Sequence, residues 1–235
     1  MDIKEKELID KNPELKTALY GKDPALQREA LLKLVLPKFH PMGMPKAKEK
    51  AFMPFLDMDV AFYIPIETKA DSEKITTDIL KNQKDRLGIS LEELMEAAVS
   101  NLRKKKPRIW SLNGLIYASM DSENEKYGIS IKKVTKKWFK EQDDFMYAIS
   151  TKDWFRGAPV ILDKELLDHI ADQFGSFYIL PSSIHEVLLV STKKGTAADL
   201  KRIVNEVNCV ELFPEERLSD NCYLYDVSER KLRIA

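Results

Sequence analysis

From Phe145 to Tyr225 the chain alternates short apolar runs with two amphipathic stretches, each opened by a capping residue, and this limits the fold more than any other feature. Phe145-Met146-Tyr147-Ala148-Ile149 has the composition of a strand. Asp163 then caps a helix with stripe Leu166, Leu167, Ile170 and Phe174, ended by Gly175. Phe177 to Leu180 reads as a strand, Pro181-Ser182-Ser183 as a turn, and His185 to Val190 as a strand that alternates His185, Val187 and Leu189 against Glu186, Leu188 and Val190. Thr196-x-x-Asp199 opens a helix with Leu200, Ile203, Val204 and Val207 inward. Tyr223-Leu224-Tyr225 closes the series, with Leu232-Arg233-Ile234 placed to pair with it. A helix with a single apolar stripe buries one side only, against a sheet. The order β-α-β-β-α-β therefore predicts an α+β fold. We expect a mixed or antiparallel sheet with helices packed on one face, a C-terminal split βαβ-like unit, and a short N-terminal helical segment.

The earlier chain is more broken. Leu8, Ile9, Leu15 and Leu19 suggest a helix interrupted near Pro13, and Asp23-Pro24 opens another with Leu26, Ala30, Leu31, Leu34 and Val35 on one face. Pro37, Pro41, Pro45 and Pro54 exclude a continuous helix and predict a connector. Val60-Ala61-Phe62-Tyr63-Ile64 reads as a strand, with Pro65 pointing to an edge position. Ser90-x-x-Glu93 is a capping box before the stripe Leu91, Leu94, Ala98 and Leu102. Leu115-Ile116-Tyr117-Ala118 reads as a strand. Ile131, Val134 and Trp138 mark an amphipathic helix surrounded by Lys132, Lys133, Lys136, Lys137 and Lys140. The expected organisation is a helical segment with a Pro-rich connector over residues 1–50, then one α+β core domain over 51–235.

Charge narrows the function classes. Lys plus Arg and Asp plus Glu number 38 each, so no global field draws the chain to nucleic acid or to an anionic membrane. No apolar run approaches the roughly 18 residues of a membrane span, and Met1-Asp2-Ile3-Lys4-Glu5-Lys6 lacks the apolar core of a signal peptide. Cys209 and Cys222 form no zinc or redox spacing and read as free thiols. A cytoplasmic location without a membrane partner is expected.

The run Tyr178-Ile179-Leu180-Pro181-Ser182-Ser183-Ile184-His185-Glu186-Val187 resembles the hallmark of an uncharacterised bacterial family of unknown function. Val204-Asn205-Glu206-Val207-Asn208 and Leu218-Ser219-Asp220-Asn221-x-Tyr223-x-Tyr225-Asp226 fit the same pattern, as do Phe55 to Tyr63, Gly88 to Leu94, and Gly157-Ala158. The similarity covers roughly residues 30 to 228 and is strong after residue 157. A short two-helix segment stands where such proteins carry a longer N-terminal part, and 107–143 reads as an insertion. The resemblance implies an architecture and a region of interest. It implies no reaction and no cofactor.

Six residues form the candidate functional turn: Ser182, Ser183, His185, Glu186, Asp220 and Asn221. A serine nucleophile needs an imidazole within hydrogen-bond reach and a third group to orient the ring. If His185 and Glu186 lie in one strand they face opposite ways, so Glu186 cannot be that group. His185 is expected to be mostly buried, bonded to Ser182, Ser183 or Asp220. His40, His169 and His185 have no metal-ligand spacing, His185-Glu186 lacks the second histidine of a zinc helix, and no Gly-rich nucleotide cradle occurs. Asp57 and Asp59 could serve as carboxylates, although acidic residues are also ordinary at a strand start. No catalytic residue, metal or cofactor is assigned. The leading expectation is a non-enzymatic domain that binds a protein or small-molecule partner. The alternatives are a hydrolase using Ser182 or Ser183 with His185, and nucleic-acid binding through the basic helix near 131–140, which the even charge balance does not favour.

Overall fold

The computed structural model describes residues 3–66, 75–120 and 127–235. Their contacts cluster into two compact units, one within 1–38, 45–54 and 59–103 and a second within 39–44, 55–58 and 104–235. No helix among the described residues is long and apolar enough to cross a membrane.

The first unit opens with α1 (Ile3–Lys11), α2 (Pro13–Tyr20) and α3 (Pro24–Leu34). The break before Pro13 is built by Asn12, whose side chain accepts the Leu15 N–H at 3.1 Å. Asp23 caps α3 in the same way, through the amides of Ala25 and Leu26. Leu26, expected inward, is 57% exposed, whereas Ala30, Leu31 and Val35 are buried. The Pro-rich stretch is no mere connector, since it supplies β1 (Leu36–Phe39) and β2 (Phe52–Phe55). Both pair with β3 (Met58–Ile66), which also pairs antiparallel with β4 (Ile75–Asp78). Pro65 sits near the end of β3, opposite Thr76 of β4. Val60 to Ile64 are all buried, as an unbroken apolar run requires when both faces are covered. After the short α4 (Lys81–Arg86), Ser90 caps α5 (Leu91–Lys104) by accepting the Glu93 N–H. The α5 stripe Leu94, Ala98 and Leu102 is buried, and Asn101 within it donates to the carbonyls of Leu32 and Val35.

The second unit is built on a seven-stranded sheet in which every pairing is antiparallel. Its elements in chain order are β5 (Arg108–Ser111), α6 (Leu112–Met120), β6 (Ile129–Ser130), α7 (Lys136–Gln142), β7 (Met146–Ser150), α8 (Lys164–Phe174), β8 (Phe177–Leu180), β9 (Val187–Ser191), α9 (Ala197–Val210), β10 (Tyr223–Asp226) and β11 (Lys231–Ile234). The spatial order is β11-β10-β8-β9-β7-β5-β6. Segment 107–143, read as an insertion, thus contributes two strands to the sheet.

β7 and β8 both flank β9 and run parallel to each other, so β7-α8-β8 is a split βαβ unit. β9-α9-β10 is a second, with β8 inserted. The two helices do not share a face. Leu200 and Val204 of α9 pack with Leu180 and Val190, beside Tyr178, Leu188 and Met146. From α8, Phe174 packs on Phe177 and Tyr147, and Asp168 accepts the Tyr225 hydroxyl. Phe177 and Tyr178 are consecutive in one strand and point to opposite sides. The reason is topological. β7 and β9 run antiparallel, yet each crossover steps the same way across the sheet. Two crossovers of the one favoured hand must then pass over opposite faces.

Two local expectations also fail. Leu115–Ala118 lies in α6, not in a strand. Ser111 Oγ accepts the Gly114 N–H and Asp144 accepts the Asn113 N–H, so the first turn of a helix is satisfied there. The basic helix is split into a 3-10 turn, Ile131–Lys133, and α7. Between them Val134 is extended, and Thr135 caps α7 through the Trp138 N–H at 3.1 Å.

Candidate functional site

One end of the seven-stranded sheet gathers the polar segments that the sequence singles out. The parallel strands β7 and β8 end there, and the antiparallel β10 begins there, with Tyr223 opposite Ile179. The converging connections are therefore 151–157, 181–186 and 216–222. Residues 55–58 of the second unit join them.

The 181–186 turn is internally bonded. Ser182 Oγ donates to Glu186 Oε1 at 3.0 Å and Ser183 Oγ to Oε2 at 2.9 Å. The His185 N–H donates to Ser183 Oγ at 2.9 Å. Its carbonyl accepts from Ser150 Oγ at 2.7 Å and from the Gly157 N–H at 2.9 Å. With both backbone groups of His185 taken and the Glu186 carbonyl accepting the Ser183 N–H, β9 begins at Val187 and not at His185. The opposite-face premise for Glu186 lapses with it.

Backbone geometry in the 151–157 loop explains the clamp. Trp154 and Arg156 adopt left-handed φ of 53° and 49°, while Gly157 is right-handed. A left-handed residue followed by a right-handed one turns successive N–H groups toward a common point. Here the amides of Gly157 and Ala158 donate to the His185 and Ile184 carbonyls. A Cβ on Gly157 would lie 2.1 Å from Ser150 Oγ and 2.6 Å from the His185 carbonyl oxygen, so only glycine permits this approach.

His185 is half-buried, not enclosed. Its ring is held by neither serine nor Asp220, but by the Trp154 carbonyl, 3.0 Å from Nδ1. The Arg156 N–H approaches the same nitrogen at 3.4 Å. If Nδ1 carries the proton and donates to the Trp154 carbonyl, Nε2 is the ring's acceptor. Nε2 has no partner among the described residues and is open to solvent. Neither serine hydroxyl donates to the ring, so the nucleophile–base pair is not assembled.

A second polar node lies at the same sheet end, centred on Asp57, one of the two carboxylates that the sequence offered beside a reading as ordinary turn chemistry. Asp57 Oδ2 accepts from Ser219 Oγ at 2.6 Å and from Asn221 Nδ2 at 2.9 Å, while Oδ1 accepts the Tyr223 hydroxyl at 2.6 Å. Partial burial works against the charge, but these donors outweigh it and hold the carboxyl below the usual aspartate range. Burial, then the hydrogen bond to Asp57, pushes the Tyr223 phenol far above the usual tyrosine range. Asp220 is turned away from His185. Its carboxylate accepts from Asn208 and its carbonyl from Asn205, both on α9. The family-like segments Asn205–Asn208, Ser219–Tyr223 and Asp57 thus meet at one place. The signal available beforehand was the pair Asp57 and Asn221, each in a quoted segment, with nothing in the spacing to join them.

His40 bonds the Met44 carbonyl, and no group of three or more metal-ligating residues occurs among the described residues. Cys209 and Cys222 are free thiols, exposed and buried respectively. A family model described as "Family of unknown function (DUF5688)" matches residues 46–227. No curated protein and no solved structure matches the chain.

Proposed function

We propose, from the premise that this chain belongs to the DUF5688 family of unknown function, that the second unit is a non-enzymatic binding domain whose protein or small-molecule partner meets the sheet end bearing His185. The observation that carries this reading is the state of the ring. Nδ1 is anchored on a backbone carbonyl, while Nε2 faces solvent without a partner. A ring oriented in this way offers one fixed acceptor to a ligand. Ser182 and Ser183 both spend their hydroxyls on Glu186, which supports a scaffold role for the turn and gives a hydrolase no primed nucleophile.

A thermal-shift screen of metabolites and peptides tests this reading. Hits should be lost in His185→Ala and kept in His169→Ala, a control on α8. Covalent labelling of Ser182 or Ser183 by a fluorophosphonate probe would sink the binding-domain reading in favour of the hydrolase.

A further inference from the structure

The segment 131–140 shows a different chemistry from the sheet end. Lys132, Lys133, Lys136, Lys137 and Lys140 are all exposed, and no acidic residue occurs between Tyr127 and Lys140. Only Lys137 has a carboxylate partner among the described residues, Glu141 at 3.6 Å. Lys164 and Lys194 of the same unit, by contrast, are paired with Asp168 at 2.6 Å and Asp143 at 3.0 Å. Lys136 and Lys140 stand one turn apart on α7 and repel each other, with no acid between them to relieve it.

The ridge is held firmly from below. Ile131, Val134 and Phe139 are buried, and Phe139 stacks on Phe174 of α8 at 4.2 Å. Thr135 caps α7, and the Lys136 N–H donates to Gln173 Oε1 at 3.2 Å. Trp138 is half-buried, edge-on to Phe139 and against Tyr147, so its ring is not free to stack on a ligand.

We infer that this ridge binds the phosphodiester backbone of duplex nucleic acid, without reading its sequence. The choice among polyanions follows from what the ridge lacks. Peptide partners are anchored by apolar side chains in pockets, and every apolar residue of this segment is turned inward or half-covered. Interfacial helices put an apolar face into the bilayer, whereas the apolar face here is spent on α8 and the sheet. Four exposed lysines without a carboxylate partner, close together on a fixed frame, match what backbone phosphates require, because these contacts position the partner without sequence information.

The experiment is fluorescence polarisation with a labelled random-sequence DNA duplex, on the full chain. Replacing Lys132, Lys133, Lys136 and Lys140 with alanine should weaken binding by about tenfold or more at low salt, and reduce the slope of log affinity against log salt by about 3–4. His185→Ala should leave duplex binding unchanged, which separates this site from the sheet end. A melting temperature equal to or above that of the parent shows that the variant is folded. If it falls, Lys136→Gln with Lys140→Gln is the milder substitute and should still weaken binding. Absence of duplex binding by the parent, or equal binding by the variants, overturns the inference. Tighter binding of poly-glutamate or of phosphatidylserine vesicles than of the duplex also overturns it.

Discussion

The two polar nodes at the sheet end contrast in how their atoms are used. Around Asp57, one carboxylate serves three side-chain donors from a single five-residue stretch, and Ser219 and Tyr223 in that stretch are buried. Around His185, the backbone does the holding, and the ring is left half-buried with one nitrogen unspoken for. A side chain whose hydrogen-bonding capacity is consumed internally is scaffold. One that is oriented but unconsumed is available to a ligand. The comparison predicts that stability should reside in the Asp57 node and in the clamp's backbone, not in the imidazole.

The largest effect is expected from Gly157→Ala, which forces the clamp apart and should cost about 3 kcal/mol in urea unfolding. A loss under about 1 kcal/mol would mean that the 151–157 loop shifts freely, and the clamp would then not be the scaffold of that node. Next is Asp57→Ala, at about 2 kcal/mol, since it strands two buried hydroxyls while removing a carboxylate that is itself partly in water. Its pH dependence sharpens the point. The folded carboxyl titrates below its unfolded value, so its stabilisation is fully present above about pH 4 and is lost as pH falls through the folded value. The stability gap between parent and variant should therefore close in acid, and a gap that persists at low pH would refute the role of the charge. Tyr223→Phe removes one donor and should cost about 1 kcal/mol. In a spectrophotometric titration of the parent, Tyr223 should ionise only with unfolding. Smallest is His185→Ala, expected to lower stability by under about 1 kcal/mol in a thermal melt, because the clamp bonds its backbone. A larger loss would turn the ring from ligand group into scaffold.

Elements with a cap and a stripe were legible in the sequence. Asp163, Thr196 and Ser90 each accept an amide as their spacing implies, and Gly175 ends α8 at a φ of 86°. The strands around the Pro181 turn were legible too, from their composition. What was not legible depended on partners distant in the chain. Arg108–Ser111 offers two apolar residues between polar ones, and becomes a strand because β7 lies beside it. Leu115–Ala118 is too short a run to separate strand from helix, and Ser111 decides for helix. The faces of α8 and α9 follow from strand order, which no local pattern contains. Within the candidate turn, the hydrogen-bond pairings differ from those expected. Glu186 holds the serines, Trp154 holds His185, Asn221 bonds Asp57, and Asp220 bonds Asn205 and Asn208 of α9. Trp154 had no signal at all, because it acts through its carbonyl.

The interleaved strand order has a kinetic consequence. Each crossover spans one strand of the β8–β9 hairpin, and the two helices pass over opposite faces. β7 pairs with β9 and β10 with β8 at long sequence separation, whereas the pairing across the Pro181 turn is local, so loop-closure entropy favours the hairpin first. Our hypothesis is that the hairpin nucleates the unit. Its amides, from Tyr178 to Val190, should then be protected first in pulsed hydrogen exchange during refolding. Earlier protection of β5 or β11 would show that the sheet grows from an edge instead.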